Sequence, residues 1–203
     1  MKRLLAWTVL TVLTAGLLLA PAKGGDKGLD SPYFPLKKGS TWEYLADGKK
    51  ITVTVTDHEK VGDLMCAKVE TDLGGGNKML EHLAVKEDGV YRVRANNEDI
   101  KPPVLILKLP PKKGDEWTWD SAIKGYAIKG KLSVTADNLK ITVQKTEYPA
   151  AILVKGTDLK MGTQTGTVDT WFAKDVGMVK QHFVLPGSGL DRTVELEKFT
   201  PGK

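Results

Sequence analysis

The chain of 203 residues carries 30 Lys plus Arg against 25 Asp plus Glu, a net charge of +5, and one cysteine. This length suits one domain with a substantial core. The basic residues are dispersed, which excludes the concentrated stripe of a nucleic-acid surface, and a lone cysteine excludes an intramolecular disulfide.

The N-terminus has the pattern of a secretory signal peptide. Lys2 and Arg3 precede an apolar stretch of 17 residues, Leu4 to Ala20, and Ala20-Pro21-Ala22 forms a small-x-small cleavage pattern. We therefore expect a signal helix in residues 1–22, a mature chain starting near Lys23, and a periplasmic or extracellular location without a stable membrane span. An uncleaved anchor is the alternative, although 17 residues barely span a bilayer of about 30 Å.

Cleavage removes Lys2 and Arg3 and no acidic residue, which leaves 28 basic against 25 acidic groups, a charge of +3. No cysteine directly follows the apolar stretch, so a lipid-modified cysteine has no acceptor there. Residues 23–31 are rich in Gly, Lys and Asp and predict a flexible tether. Residues 32–203 are predicted to form a single domain.

The pattern of that domain has period two, which is typical of strands with one buried face. No window in it sustains helical apolar spacing free of Gly or Pro. Turn residues such as Asp47-Gly48, Asp88-Gly89 and Asp137-Asn138 separate the strands. Besides two short alternating runs at 51–55 and 139–143, strands are predicted at 41–46, 63–71, 78–86, 90–95, 103–108, 116–123, 126–136, 150–157, 164–173, 177–185 and 191–199.

Two segments repeat. Five of ten positions are identical between residues 35–44 and 110–119, and each segment carries Lys-Lys-Gly before a Trp. A second shared signal follows in the same order, at 86–90 and 174–178. We predict a duplication of residues 32–101 and 107–185, because half the domain cannot cover its own apolar face. The fold class predicted is all-β: an antiparallel curved sheet or half-open barrel of about a dozen strands, built from two duplicated halves after the signal helix.

Catalytic and metal-binding patterns are not found. The three histidines lie far apart in sequence and are interpreted as surface residues: His58, His82 and His182. Gly74-Gly75-Gly76 is interpreted as a hairpin turn, since no Walker pattern or helix follows, and Gly187-Ser188-Gly189 as a turn without the nucleophile spacing. We predict no cofactor, no metal and no catalytic residue, and leave the ligand-binding residues unassigned.

Sequence-neighbouring acids such as Glu87-Asp88 and Asp115-Glu116 are interpreted as solvated turn charges. Neighbours on a strand point to opposite faces, whereas a glycosidase needs two facing carboxylates. Cys66 lies in a strand-like run and is interpreted as a small core hydrophobe. Five aromatic residues either pack the core or line a hollow for a lipid or sugar: Trp42, Tyr44, Trp117, Trp119 and Trp171.

Residues 33–44 and 171–180 resemble a group of exported bacterial proteins of unknown function. Members open with Phe-Pro-Leu-x-x-Gly-x-x-Trp-x-Tyr and close with Trp-aromatic-Ala-x-x-Val-Gly-x-Val-Lys, so the resemblance brackets most of residues 32–182. The group is similar in turn to the curved sheets of the LolA and LppX type. That similarity implies a sheet folded over a hydrophobic hollow that binds lipid or lipoprotein.

The function predicted is non-enzymatic: an exported β-domain that binds a lipid, another apolar ligand or an envelope protein. One alternative is a structural interaction module with a packed core. The other is an envelope hydrolase whose carboxylates, or Ser and His, are brought together only by the fold.

Overall fold

The computed structural model describes residues 29–161 and 164–203. The predicted signal peptide, and the tether up to residue 28, lie outside the described residues. The described chain is all-β, as predicted, and its helical content is one 3-10 turn, Pro186–Ser188. No helix in these two ranges is long and apolar enough to cross a membrane.

Twelve antiparallel strands form a closed barrel, and a short hairpin of two more strands precedes it. The hairpin is β1 (Asp30–Ser31) with β2 (Phe34–Pro35). The barrel strands are β3 (Thr41–Ala46), β4 (Lys49–Val61), β5 (Leu64–Asp72), β6 (Lys78–Lys86), β7 (Gly89–Ala95), β8 (Glu98–Lys108), β9 (Glu116–Ile123), β10 (Tyr126–Val143), β11 (Thr146–Met161), β12 (Gln164–Ala173), β13 (Gly177–Leu185) and β14 (Leu190–Thr200).

Each barrel strand pairs with its sequence neighbour, and β14 returns to pair with β3. This order alternates the turns between two ends of the barrel. One end, the open rim, carries the β3–β4, β5–β6, β7–β8, β9–β10, β11–β12 and β13–β14 connections. The opposite end, the plugged end, carries the remaining turns and the N-terminal hairpin.

The β8–β9 seam has the shortest backbone ladder between neighbouring barrel strands. Its ladder consists of the pairs Ile100 with Ile123 and Lys101 with Ala122, both near the open rim. Farther along, the indole Nε1 atoms of Trp117 and Trp119 donate hydrogen bonds of 2.9 and 2.6 Å to the carbonyl oxygen of Leu105. Side chains therefore replace backbone pairing over part of this seam.

The two predicted repeats begin with the same backbone geometry. Gly39 and Gly114 both have positive φ, +86° and +90°, and each begins a six-strand half of the barrel. The amide of Gly39 donates to Val55 O at 2.8 Å, and that of Gly114 donates to Val134 O at 2.9 Å. The two segments therefore occupy equivalent places, while the duplication itself stays a prediction.

One predicted turn is wrong. Asp137-Asn138 is not a turn: β10 continues through it with register shifts around Ala136 and Leu139, because bulges take up the extra residues. Asp137 instead accepts a hydrogen bond from the Lys113 amide at 3.0 Å. At the N-terminus, Asp30 and Ser31 pair with β2, and Ser31 is buried.

Candidate functional site: a cavity inside the barrel

A cavity of about 410 Å³ lies inside the barrel. That volume falls in the range of about 300–1,000 Å³ typical of small-molecule sites. It is more than twice the roughly 150 Å³ of an engineered apolar cavity that admits benzene. Most of the wall is aliphatic or aromatic, including Phe34, Leu36, Trp42, Tyr44, Ile51, Val53, Val69, Leu83, Ile106, Trp119, Leu132, Val168, Phe172, Met178 and Phe183.

The cavity opens at the open rim. Leu73 and Met79 line it and are 41% and 38% exposed. Both flank the β5–β6 turn, and Tyr126 at the β9–β10 turn is the third exposed large apolar side chain among the described residues. Exposed apolar groups therefore collect where the cavity meets solvent.

The N-terminal hairpin closes the other end. Phe34 lines the cavity and packs on Phe172 with ring centroids 5.4 Å apart, and Leu36 is 2% exposed. The amide of Asp175 donates a hydrogen bond to Pro32 O. These contacts hold the hairpin as a plug at this end of the barrel.

The structure divides the five predicted aromatic residues between the two interpretations. Trp42, Tyr44 and Trp119 line the cavity, whereas Trp117 and Trp171 do not. Tyr44 is buried and its hydroxyl donates to Met178 O at 2.9 Å. Burial raises the pKa of the Tyr44 phenol, so the hydroxyl stays protonated and serves as a fixed part of the wall.

Two oppositely charged side chains project into this apolar wall. Glu81 lies opposite Val69, and Arg92 lies opposite Leu83; residues directly opposite on antiparallel strands share a face. Arg92 Nε lies 2.6 Å from Glu81 Oε1. The N–H is not aligned as a hydrogen bond, so the contact is held by charge.

This pair was not identified from the sequence, although the sequence pattern marks one of its members, Glu81. Glu81 occupies the apolar phase of the alternating run Met79, Leu83 and Val85. Arg92 gave no such signal, because register shifts on both sides of β7 change which residues face inward. Lys129 and Lys160 also reach the cavity edge but are exposed, and Lys129 pairs with Asp120 at 3.0 Å.

The histidine interpretation is wrong for His82, which is 1% exposed. Its Nε2 lies 2.7 Å from Glu59 Oε1, and its Nδ1 is buried without a hydrogen-bond partner. The His82–Glu59 contact adjoins a small second core outside the cavity, formed by Val61, Cys66, Ala84 and Val93, since Glu59 is paired with Cys66. His58 and His182 contact a backbone carbonyl oxygen and a carboxylate nearer the surface.

Cys66 lies in that second core and is fully buried, as interpreted from its strand context. Burial raises the pKa of its thiol, which disfavours the reactive thiolate. In the described ranges, no three His, Cys, Asp or Glu side chains come together in an arrangement suited to a metal ion.

Comparison with known proteins shows only distant similarity. No protein-family model matches the chain, and no curated protein matches it. A candidate lipoprotein from Parabacteroides distasonis is 13% identical, with 83% of this chain and 98% of that chain covered and a TM-score of 0.47. A candidate exported protein with a YmcC-like fold from Bacteroides fragilis is 12% identical, with the same coverage and a TM-score of 0.49. These values assign neither ligand nor activity, so the resemblance to LolA and LppX stays a prediction.

Proposed function

We propose that this chain is an exported, non-enzymatic barrel protein that binds an apolar ligand in the cavity between its open rim and its N-terminal plug. The observation that carries the proposal is the cavity itself, about 410 Å³ with a largely apolar wall. An apolar ligand entering it would leave water along most of its length, which is favourable by about 25 cal/mol per Å² of apolar surface buried. Export is supported by the signal-peptide pattern of residues 1–22.

The two alternatives are less well supported. An interaction module with a packed core predicts a filled interior, and the cavity argues against that. A glycoside hydrolase uses two carboxylates across the bond that it cleaves, whereas the described cavity wall carries one, Glu81, which pairs with Arg92. This arrangement favours binding over catalysis.

The proposal is tested first with a neutral probe. N-phenyl-1-naphthylamine fluoresces strongly in apolar surroundings, and we expect saturable binding to the purified chain. Val53→Trp fills the cavity, since Val53 lines it, and should weaken binding at least fivefold. Thr52→Trp is the matched control, because Thr52 lies on the opposite face of the same strand. Equal binding by all three proteins would contradict the proposal.

The natural ligand is sought separately, by native mass spectrometry and lipid extraction of protein purified from its host's envelope fraction. A copurifying apolar molecule is the expected result. Protein that is repeatedly ligand-free under gentle conditions, together with no saturable probe binding, would favour the interaction module.

A further inference from the structure

We propose that Arg92 anchors the anionic head of an amphiphilic ligand, a carboxylate or phosphate on an acyl chain, while the chain runs from the open rim toward the plug. This inference rests on the proposed function and names the ligand class. A pair of opposite charges, Arg92 and Glu81, lies in a largely apolar cavity wall.

The position of Arg92 suits a head group. It stands three residues from the open-rim end of β7, and its side chain is 37% exposed, against 17% for Glu81. The wall between this level and the plug is largely apolar and includes Leu83, Trp42 and Leu36. A ligand with its head at Arg92 therefore places its tail against apolar residues down to the N-terminal hairpin.

The chemistry of the pair also favours an anion. A charge in an apolar wall is costly unless it is paired. When no other anion is bound, Glu81 supplies the negative charge that pairs with Arg92. That contact is made at Nε, the inner nitrogen of the guanidinium. The two terminal amino groups form the outer edge of the guanidinium, and such an edge matches the paired oxygens of a carboxylate or phosphate.

Glu81 would then act as an internal competitor. A bound anion and the Glu81 carboxylate would both seek the same guanidinium and repel each other across a site of low dielectric constant. Removing the charge of Arg92 should therefore weaken anion binding, whereas removing the charge of Glu81 should strengthen it. A purely structural ion pair would give effects of the same sign.

The test uses the full chain, stripped of copurifying lipid, and displacement of N-phenyl-1-naphthylamine. The competitors share a twelve-carbon chain and differ in the head: dodecanoate, dodecyl phosphate and neutral monododecanoylglycerol. We expect Arg92→Gln to weaken both anions about tenfold or more, as loss of a charged hydrogen-bonding partner implies, and the neutral competitor less than twofold. The ratio of the affinities for dodecanoate and dodecyl phosphate shows whether the site prefers a carboxylate or a phosphate head.

Glu81→Gln is the discriminating variant and is expected to tighten binding of both anions. Arg92→Lys keeps the positive charge but lacks the planar guanidinium. Its affinity for the anions should lie between those of wild type and Arg92→Gln, and it replaces Arg92→Gln in the test if that variant does not fold. Equal affinity of wild type for charged and neutral competitors would overturn the inference, as would weakening of the anions by Glu81→Gln. The proposed function still stands after either result if wild type binds N-phenyl-1-naphthylamine and the Val53→Trp variant binds it more weakly.

Discussion

The indole Nε1 of Trp42 donates a 2.6 Å hydrogen bond to the carbonyl oxygen of Val176, 134 residues further along the chain. The bond joins the start of β3 to the β12–β13 turn at the plugged end of the barrel. Trp42 also stacks on Phe199 of β14, with ring centroids 5.2 Å apart. One side chain therefore ties together the first and last strands of the barrel and the turn beneath the plug.

Replacing Trp42 by Phe removes this hydrogen bond while keeping an aromatic ring. We expect a loss of about 1–3 kcal/mol in the free energy of unfolding, because the Val176 carbonyl oxygen loses its partner in a partly buried place. Urea denaturation followed by circular dichroism measures it. Trp171→Phe is the matched control, since Trp171 is half-buried and its indole makes no hydrogen bond among the described residues. Equal losses in both variants would contradict the role given to the bond.

The β8–β9 seam predicts non-additive substitutions. Leu105 O accepts from both Trp117 and Trp119, so either indole alone still satisfies it. We expect Trp117→Phe and Trp119→Phe each to cost little through hydrogen bonding, and the double variant to cost about 1 kcal/mol more than their sum. A double-mutant cycle in urea measures the excess. Strict additivity would mean that the carbonyl oxygen does not depend on the indoles.

Gly202 fits a place with no room for a side chain. A Cβ there would meet the backbone of Lys38 and Ser40, with the Ser40 nitrogen 2.7 Å away, and its amide donates to Ser40 Oγ at 3.0 Å. We expect Gly202→Ala to lower the melting temperature by several degrees, since backbone cannot move aside as a flexible side chain can. Gly187→Ala, where a Cβ meets nothing within 4 Å, should leave the melting temperature within about one degree.

The second core predicts a dependence of stability on pH. The hydrogen bond from His82, followed by the charge of Lys68, holds the pKa of the Glu59 carboxyl below its usual 4.5. A carboxyl whose pKa is lower in the folded state contributes stability above its unfolded pKa. That contribution is lost as the pH falls through 4.5 toward the folded value.

Glu59→Gln should therefore destabilise the protein at pH 7 and much less at pH 3, measured as urea midpoints for wild type and variant at each pH. Glu197→Gln is the control, because Glu197 is exposed and forms no ion pair among the described residues. A Glu59→Gln penalty that is unchanged at pH 3 would show that the effect is packing and not charge.

The strand pattern could be read well from local sequence. Five predicted strands have the observed bounds: β3, β6, β9, β12 and β13. Their apolar alternation and the Gly, Asp and Asn turns that bound them are local properties, so no distant contact was needed. The Asp137-Asn138 turn failed because a bulge and a turn use the same residue types, and only pairing with β11 distinguishes them.

By itself the sequence determined an all-β domain of about a dozen strands, the similarity of the segments around Gly39 and Gly114, and the core position of Cys66. Tertiary structure alone decided that the sheet closes, that it encloses a cavity, and that Arg92 meets Glu81 there. It also decided that His82 is buried against Glu59, 23 residues away. The physical reason is register: bulges in β4, β7 and β8 change which residues face inward. The alternation of apolar and polar residues in the sequence does not show where such a bulge shifts its phase.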